Sequence, residues 1–383
     1  MQIRWSRASS LLGSSVLFVV LLGLSTSIRA QLSTKEVKPH LAFRGAVGFG
    51  AMVKTSPEIS TPAHIYYVTN LQDSGKGSFR DAVSQAGRTV VFDVAGVINL
   101  KSRVNVAGNM IIKGESAPSP GITLQGASVS FSRISDAVVR YIRMRGSINM
   151  PRGACVLIAD SSKRLIFDHV SVSWGRWDNL HIKGSSDITL QYSIIGEAID
   201  PQRFGALLEN PERLTVYRCL WIDHQSRNPK AKAGIQFVNN VIYNYGRSGL
   251  VGGHSSADHF QDIIGNYFIA GPESSTSFLS MFTSTDHVYD KDNMVDLNCD
   301  GALNGRAVIE ADYGSSTGAP TMVNQPNFNQ ALPIVSAEKA YKAVFKEAGA
   351  RKYLDKADSR MLNQLSSLGK LGKIIHQESE ADE

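Results

Sequence analysis

A short pattern that repeats after residue 135 constrains the fold more than any other feature of the chain. Apolar runs of similar length recur between polar turns, and one residue taken from each run gives spacings of 28, 23, 26, 22 and 26 residues. These residues are Tyr141, His169, Tyr192, Arg218, Asn240 and Asn266. No amphipathic helix of useful length fits between the runs, which argues against alternating strands and helices. The spacing predicts a solenoid in which each coil buries its apolar face on its neighbours.

The predicted fold class is all-β, a right-handed parallel β-helix with a short N-terminal capping helix and a C-terminal helical or irregular segment. Asn240 and Asn266 are predicted to stack in successive coils and to hydrogen-bond to each other, although two separate turn asparagines would give the same pattern. The stretch "DSGKGSFRDAVSQAG" predicts a turn and then a short helix with Ser78 as its N-cap. Such a helix would close the open end of the solenoid.

The chain is expected to divide into four parts. Residues 1–30 combine a basic start, an apolar run and a small-residue cleavage site, which predicts a secretory signal, with a retained membrane anchor as the alternative. Residues 31–40 are expected to be flexible and residues 41–334 to form the β-helix, although the pattern loosens after 272. Residues 335–383 are expected to hold one helix, "SAEKAYKAVFKEAGA", and a solvated acidic tail, and to pack on the β-helix or trail from it.

The composition excludes some classes of protein. Three cysteines in a secreted chain cannot all pair, so a disulfide scaffold is excluded. The formal net charge of +6 permits an acidic partner without requiring one. The stretch "IDHQSRNPKAK" concentrates Arg227, Lys230 and Lys232. It is either a solvated basic turn or a fixed positive site for an acidic ligand.

Several stretches together carry a family likeness. The chain resembles the secreted pectate lyases of polysaccharide lyase family one, in their bacterial branch, from about residue 41 to about residue 375. The resemblance implies a right-handed parallel β-helix and β-elimination of a uronate polymer, usually with Ca²⁺ and an arginine base. The stretches that carry it are "AFRGAVGFGA", "VTNLQDSGKGSFRDAV", "TVVFDVAGVINL", "IIKGESAPSPGITL", "FDHVSVSWG", "SRNPK", "FVNNVIYNYG" and "SAEKAYKAVFKEAGA".

The resemblance also implies roles for individual residues. The family's Arg-x-Pro-x-x-Arg/Lys arrangement matches Arg227, Pro229 and Lys232, so that Arg227 is the expected base and Lys232 the expected ligand of a substrate carboxylate. A guanidinium gives up its proton reluctantly, so the nearby cations would have to destabilise its charged form. Lys230 and Arg203 are further candidates for binding carboxylates, and Trp177 for stacking on a sugar ring.

The family's calcium ligands have poor counterparts in this sequence. The positions expected to hold them are Cys155, Trp177 and His181, and Asp178 is the one carboxylate beside them. Calcium takes six to eight oxygens, so the site would need help from the next turn. The residues available there are Glu197, Asp200 and Glu209.

Some residues of types common in active sites are open to a structural role as well. Asp168 and His169 are expected to be structural, because they lie in a strand interior. Trp174 is as readily a buried aromatic as a sugar-stacking one. Arg176 is the candidate to replace the ion if the chain resembles calcium-independent pectin lyases instead.

The predicted function is a secreted, monomeric lyase that acts on pectate or a related uronic-acid polymer. The partner is an acidic polysaccharide, with no nucleic acid and no membrane once the signal is removed. Two alternatives stay open: a degenerate lyase-like protein that binds anionic polysaccharide without turnover, and a calcium-independent pectin lyase.

Overall fold

The computed structural model describes residues 37–55 and 57–382. The predicted signal and most of the segment expected to be flexible lie outside these residues. The described chain forms a parallel β-helix of about nine turns, which confirms the predicted fold class. No helix in the described residues is long and apolar enough to cross a membrane.

Three sheets of eleven, ten and eight strands form the walls of the β-helix, and the strands of successive coils pair in parallel and in register. The eleven-stranded sheet consists of Ile65–Val68, Arg88–Phe92, Met110–Lys113, Ser135–Arg140, Lys163–Asp168, Ser186–Gln191, Glu212–Tyr217, Ile235–Val238, His259–Ile264, Asp286–Lys291 and Thr321–Met322. The ten-stranded sheet consists of Gly96–Asn99, Ile122–Gln125, Arg143–Arg145, Ser171–Ser173, Ile194–Gly196, Leu220–Ile222, Val241–Tyr243, Tyr267–Ile269, Met294–Asp296 and an antiparallel edge strand, Arg306–Ala307. The eight-stranded sheet consists of Val104–Asn105, Val129–Ser130, Val156–Ile158, Asp178–Lys183, Phe204–Glu209, Lys230–Lys232, Leu250–Val251 and Leu279–Ser280.

Apolar side chains at inward positions stack in columns along the axis, which explains why short runs suffice to form the core. One column joins Val139, Phe167, Leu190, Val216 and Phe237 through successive strand pairs, and all five are buried. Each coil thus completes its burial on the next, as in any solenoid.

The strand register corrects two of the positions taken as equivalent. Tyr141, His169, Tyr192 and Arg218 all lie at the same turn with φ between 47° and 52°. Their equivalent in the next coil is Asn239, with φ of 55°, because Tyr217 pairs with Val238. Asn240 and Asn266 therefore lie one position beyond the assumed one, since the coil after Arg218 is a residue shorter than the pattern suggested.

The predicted asparagine ladder is confirmed. Asn240 Nδ2 donates to Asn266 Oδ1 at 3.0 Å, and Asn266 Nδ2 donates to Asn293 Oδ1 at 2.9 Å. Asn293 is a third member that the sequence reasoning missed. All three side chains are buried and bond to backbone groups as well, so the ladder fixes the spacing of successive coils.

Asn266→Ala should lower the free energy of unfolding by about 2–4 kcal/mol, because it leaves the amide of Asn240 and the carbonyl of Phe237 buried without their partner. Asn298→Ala is the control, since that amide lies on the exposed surface. Urea midpoints measure both variants. Equal midpoints would mean that the ladder does not stabilise the solenoid.

The N-terminal part closes the solenoid as predicted. Helix α1 (Phe79–Ala82) starts at Ser78, whose side chain accepts a hydrogen bond from Asp81 N, and the Phe79 ring lies in the core. His40–Leu41 already pairs with Met52–Val53 in an antiparallel ribbon, so the ordered chain begins before residue 41. The remaining short elements are 3-10 turns at Phe49–Ala51, Pro57–Ser60, Pro62–His64, Gly114–Ser116, Glu310–Tyr313 and Glu378–Asp382.

The C-terminal part differs from the prediction in two ways. It holds two helices, α2 (Ala337–Glu347) and α3 (Lys356–Ser366), instead of one. The acidic tail is not merely solvated, because Glu378 Oε1 accepts from Ser147 Oγ at 2.6 Å and Glu378 Oε2 accepts from Ile148 N at 2.8 Å. These contacts tie the tail to the turn that follows the ten-stranded sheet.

Candidate active site

The eight-stranded sheet turns charged side chains outward along one face. In strand Asp178–Lys183, Leu180 and Ile182 point into the core, whereas His181 is half-buried and Lys183 is exposed. Lys230 and Lys232 alternate in the same way around buried Ala231 two strands further on. The period-two pattern of the strands therefore brings residues that are about fifty positions apart in the chain onto one surface.

Arg227 lies at the edge of this face and pairs with Asp178. Its Nη1 is 3.2 Å from Asp178 Oδ1. The strand that begins at Phe204 runs between them, and the Arg227 guanidinium lies 4.2 Å from the centre of the Phe204 ring. An apolar ring below and a carboxylate on one side hold the guanidinium in one orientation. The predicted base and the one predicted metal-binding carboxylate are thus brought together, but as an ion pair.

Burial raises the pKa of Asp178 to about 6, against the opposing pull of Arg227 and His181. Because the folded-state pKa lies above the ordinary value of 3.8, the unfolded chain releases this proton first as pH rises. Asp178 therefore destabilises the fold progressively between about pH 4 and pH 6, by up to about 3 kcal/mol above that range.

Asp178→Asn should gain stability relative to the wild-type protein as pH rises from 4 to 7, because asparagine has no proton to lose. Melting temperatures of both proteins across this range measure the effect. A melting-temperature difference that stays constant with pH would contradict the burial-induced shift of the Asp178 pKa.

Lys230 and Lys232 supply the positive charge beside this pair. The pKa of Lys230 is lowered by burial and by the like charges of Lys232 and Arg227. Glu209 accepts a hydrogen bond from His181 at 2.8 Å on the same face. Burial raises the pKa of Glu209, but His181, Lys183 and Lys232 outweigh burial and lower it overall. The face is accordingly cationic, with Glu209 ionised within it.

A buried polar chain lies beneath Arg227 and Asp178. His224 Nε2 accepts from Asn179 Nδ2 at 2.9 Å, and His224 Nδ1 donates to Asn228 Oδ1 at 2.6 Å. Burial lowers the pKa of His224 to about 4, so its imidazole is neutral at neutral pH. Asn179 follows Asp178 and Asn228 follows Arg227, so this chain fixes the backbone at both ends of the ion pair.

Trp177 borders a cavity of about 170 Å³ at the same edge of the sheet. Its indole is 40% exposed, and the Arg152 guanidinium lies 4.9 Å from the ring centre. Arg103, Asp178 and His181 also line the cavity. Sequence reasoning missed Arg103 and Arg152, because only the strand register shows that the segments before Val104, Val156 and Asp178 meet at one edge.

The residues at the position where the resemblance implies calcium ligands do not form a set of donors that suits that ion. Cys155 is fully buried, and burial raises the pKa of its thiol to about 12. Trp177 offers no oxygen, His181 is bound to Glu209, and Asp178 is paired with Arg227. Calcium takes six to eight oxygen ligands. Among residues 37–55 and 57–382, no group of three or more His, Cys, Asp or Glu side chains is arranged to hold a metal ion.

The carboxylates considered as extra ligands have other partners. Glu197 is fully buried and accepts hydrogen bonds from Arg360 and from Trp174 Nε1. Asp200 pairs with Arg203 at 3.2 Å and with His376 at 3.0 Å.

The remaining candidate residues lie in structural surroundings. Arg203, expected to bind substrate, would have to leave Asp200 to do so. Arg176 donates to the carbonyls of Asp200 and Met150, and its proposed replacement of an ion stays a prediction. Trp174 is buried. Asp168 pairs with Arg140, and His169 stacks on Tyr141 and Tyr192, in keeping with structural roles.

Fold and face together define a parallel β-helix with a basic surface that Trp177 borders. The chain is 39% identical over 344 residues to the probable pectate lyase C of Aspergillus flavus, covering 89% of this chain and 80% of that one. It is 40% identical over 350 residues to the probable pectate lyase C of Aspergillus fumigatus, covering 90% and 82%. The chain belongs to the pectate lyase family.

Solved structures agree on the fold. A thermostable pectate lyase matches with a TM-score of 0.62 at 13% identity, covering 82% of this chain and 98% of its own. A pectate lyase bound to a hexasaccharide matches with a TM-score of 0.61 at 12% identity, covering 84% and 100%. No family model matches the chain. The Aspergillus relatives are fungal, so placement in the bacterial branch stays a prediction.

Proposed function

We propose that this chain cleaves pectate, or a closely related uronate polymer, by β-elimination with Arg227 as the base. One observation carries the proposal: in a chain of the pectate lyase family, Arg227 is oriented beside Lys230 and Lys232 on the cationic face of the eight-stranded sheet. The curated relatives are named probable pectate lyases, and one structural neighbour is a pectate lyase in complex with trigalacturonate.

The chemistry needs a base and fixed positive charge. Arg227 takes the proton from C5 of a galacturonate, the C5–H electron pair forms the C4–C5 double bond, and the bond from C4 to the glycosidic oxygen breaks. That oxygen takes up a proton, and the new chain end carries an unsaturated sugar. Negative charge develops on the substrate carboxylate as the proton leaves, and Lys232 and Lys230 stabilise it.

The guanidine must be neutral when it accepts this proton. Lys230 and Lys232 are the like charges beside Arg227 on this face, and Asp178 is the carboxylate that pairs with it at 3.2 Å. In this proposal the uronate polymer enters beside that ion pair and shares the donors of Arg227 with Asp178.

Calcium has no step in this proposal, because the donor set at its usual position does not fit. Lys230 and Lys232 are the positive charges that the site itself offers the reacting carboxylate. A calcium-independent lyase therefore fits better than a calcium-dependent one. Secretion and a monomeric state stay predictions from the sequence.

A second candidate function is binding of acidic polysaccharide without turnover. The ion pair between Arg227 and Asp178 at 3.2 Å favours it, since a guanidinium held by a carboxylate is a fixed donor for binding an anionic chain.

Ultraviolet absorbance of the unsaturated product separates these functions. The protein would be incubated with polygalacturonate and with methylated pectin, each with calcium and with a chelator. We expect product from polygalacturonate that the chelator does not abolish. Product from methylated pectin alone would support the pectin lyase alternative. Tight binding of polygalacturonate without product on either substrate would overturn the lyase proposal in favour of the binding function.

A further inference from the structure

We propose that Arg103, Arg152 and Trp177 form a subsite for the carboxylate and ring of a second uronate, and that this subsite works without a metal ion. The inference rests on the proposed function for the polymer it binds, and it concerns a different group of residues from those that carry the elimination. The observations behind it are the lining of one cavity, the lack of acidic partners for its arginines and its position along the solenoid axis.

The cavity brings two cations and one flat apolar surface together. Arg103 precedes the strand Val104–Asn105, Arg152 lies in the turn before Val156–Ile158, and Trp177 precedes Asp178–Lys183. All three line the same cavity of about 170 Å³. They meet because these strands belong to the eight-stranded sheet and enter it at the same edge.

The two arginines are available to a ligand. Within the part of the chain that the structure describes, neither guanidinium has a carboxylate at ion-pair distance, and both residues are exposed. Asp178 lines the cavity too, but its carboxylate pairs with Arg227. The Arg152 guanidinium lies over the Trp177 ring, which orients the charge, and Trp177 is still 40% exposed beside it.

A uronate fits this combination better than other anions. Its planar carboxylate matches the fork of a guanidinium, which binds both oxygens at once. The carbon-bound hydrogens of a sugar ring pack on an indole face. A free inorganic anion would use the arginines but not Trp177, and a neutral sugar would use Trp177 but not the arginines.

The position along the axis shows which sugar would lie here. The strand after Arg152 and the strand Lys230–Lys232 are three neighbours apart in the eight-stranded sheet, a separation of about 14 Å at the usual strand spacing. A uronate carboxylate on Arg152 is therefore a different carboxylate from the one that Lys230 and Lys232 hold. It belongs to another residue of the same polymer, held further along the solenoid axis.

Equilibrium binding of trigalacturonate by calorimetry, with chelator present, tests the subsite. It is measured in the Arg227→Lys background, which removes the proposed guanidine base and keeps a cation beside Asp178, so that Asp178 does not compete for Arg103 and Arg152. Arg152→Gln and Arg103→Gln should each raise the Kd about tenfold, the usual effect of losing one charged hydrogen-bonding group. Arg213→Gln is the matched control, because Arg213 is a half-exposed arginine on the eleven-stranded sheet, and it should leave the Kd unchanged.

Two results would overturn the subsite: a Kd that Arg152→Gln leaves unchanged, or binding that appears only when calcium replaces the chelator. A neutral trisaccharide of galactose should bind at least tenfold more weakly, and equal binding would also contradict the inference. Arginine-dependent binding in a protein whose wild-type form releases no product would support the subsite and refute the proposed lyase. Product formation with arginine-independent binding would do the reverse.

Discussion

Replacement of Arg227 by alanine is expected to lower kcat on polygalacturonate about a thousandfold, within the range that a general base contributes. The proton at C5 would lose its acceptor, while Lys230 and Lys232 would still hold the polymer. KM should therefore change much less than kcat. Initial rates of product formation over a range of substrate concentrations measure both constants.

Arg213→Ala is the matched control for this change. Arg213 also pairs with an aspartate, Asp187, at 2.6 Å, but it lies on the eleven-stranded sheet. Its loss should leave kcat unchanged. Circular dichroism and melting temperature would show whether each variant is folded. A folded Arg227→Ala protein that keeps more than a tenth of the wild-type kcat would remove Arg227 from the role of base.

The largest effect on stability is expected at Arg145, which joins the β-helix to the C-terminal helices. Its guanidinium is 1% exposed and contacts Asp355 at 2.8 Å and Asp358 at 2.9 Å. Arg145→Met would leave the fully buried carboxylate of Asp358 without a cation and would leave Asp355 with Arg143 alone, at 3.5 Å. The expected loss in free energy of unfolding is about 3–5 kcal/mol.

Urea denaturation measures this loss of stability, and two further variants test its cause. Asp358→Asn, added to Arg145→Met, should recover part of the stability because it removes the unpaired buried charge. Arg133→Met is the control, because it breaks an ion pair between Asp160 and an arginine side chain that is 81% exposed. It should lower the free energy of unfolding by at most about 1 kcal/mol. If Arg145→Met and Arg133→Met shift the midpoint equally, the C-terminal helices are not held in the way described.

The fold was predictable because every coil repeats one requirement. Each strand, two to six residues long, must bury its alternate side chains on the preceding coil. The apolar runs therefore recur in the sequence with a period that is visible before the pairing of the strands is known. The stacking of Asn240 on Asn266 followed from the same period. The register of the strands was harder to predict. The coil after Arg218 is one residue shorter than expected, which changes the asparagine that is equivalent to Arg218, and only the strand pairing shows this.

The residues of the candidate site were predictable where they lie together in one sequence motif. They were not predictable where they come from separate coils. Arg227, Lys230 and Lys232 are neighbours in the chain, so "SRNPKAK" identifies them together. Arg103 and Arg152 belong to coils whose turns differ in length, and no local pattern places them beside Trp177. Helix α3 was missed although Asp355 is a regular N-cap, because this residue follows an irregular turn. The helix is also held by an ion pair between Asp355 and Arg145, which is distant in the sequence.

The chemistry of the products tests the central claim most directly. Mass spectrometry and proton NMR of the oligosaccharides released from polygalacturonate, with chelator present, distinguish elimination from hydrolysis. Elimination breaks the glycosidic bond without adding water and leaves a C4–C5 double bond at the new non-reducing end. We predict products with this unsaturated end from the wild-type protein and none from Arg227→Ala. Saturated products, or no products from the folded wild-type protein, would contradict the proposal that this chain is a lyase with an arginine base.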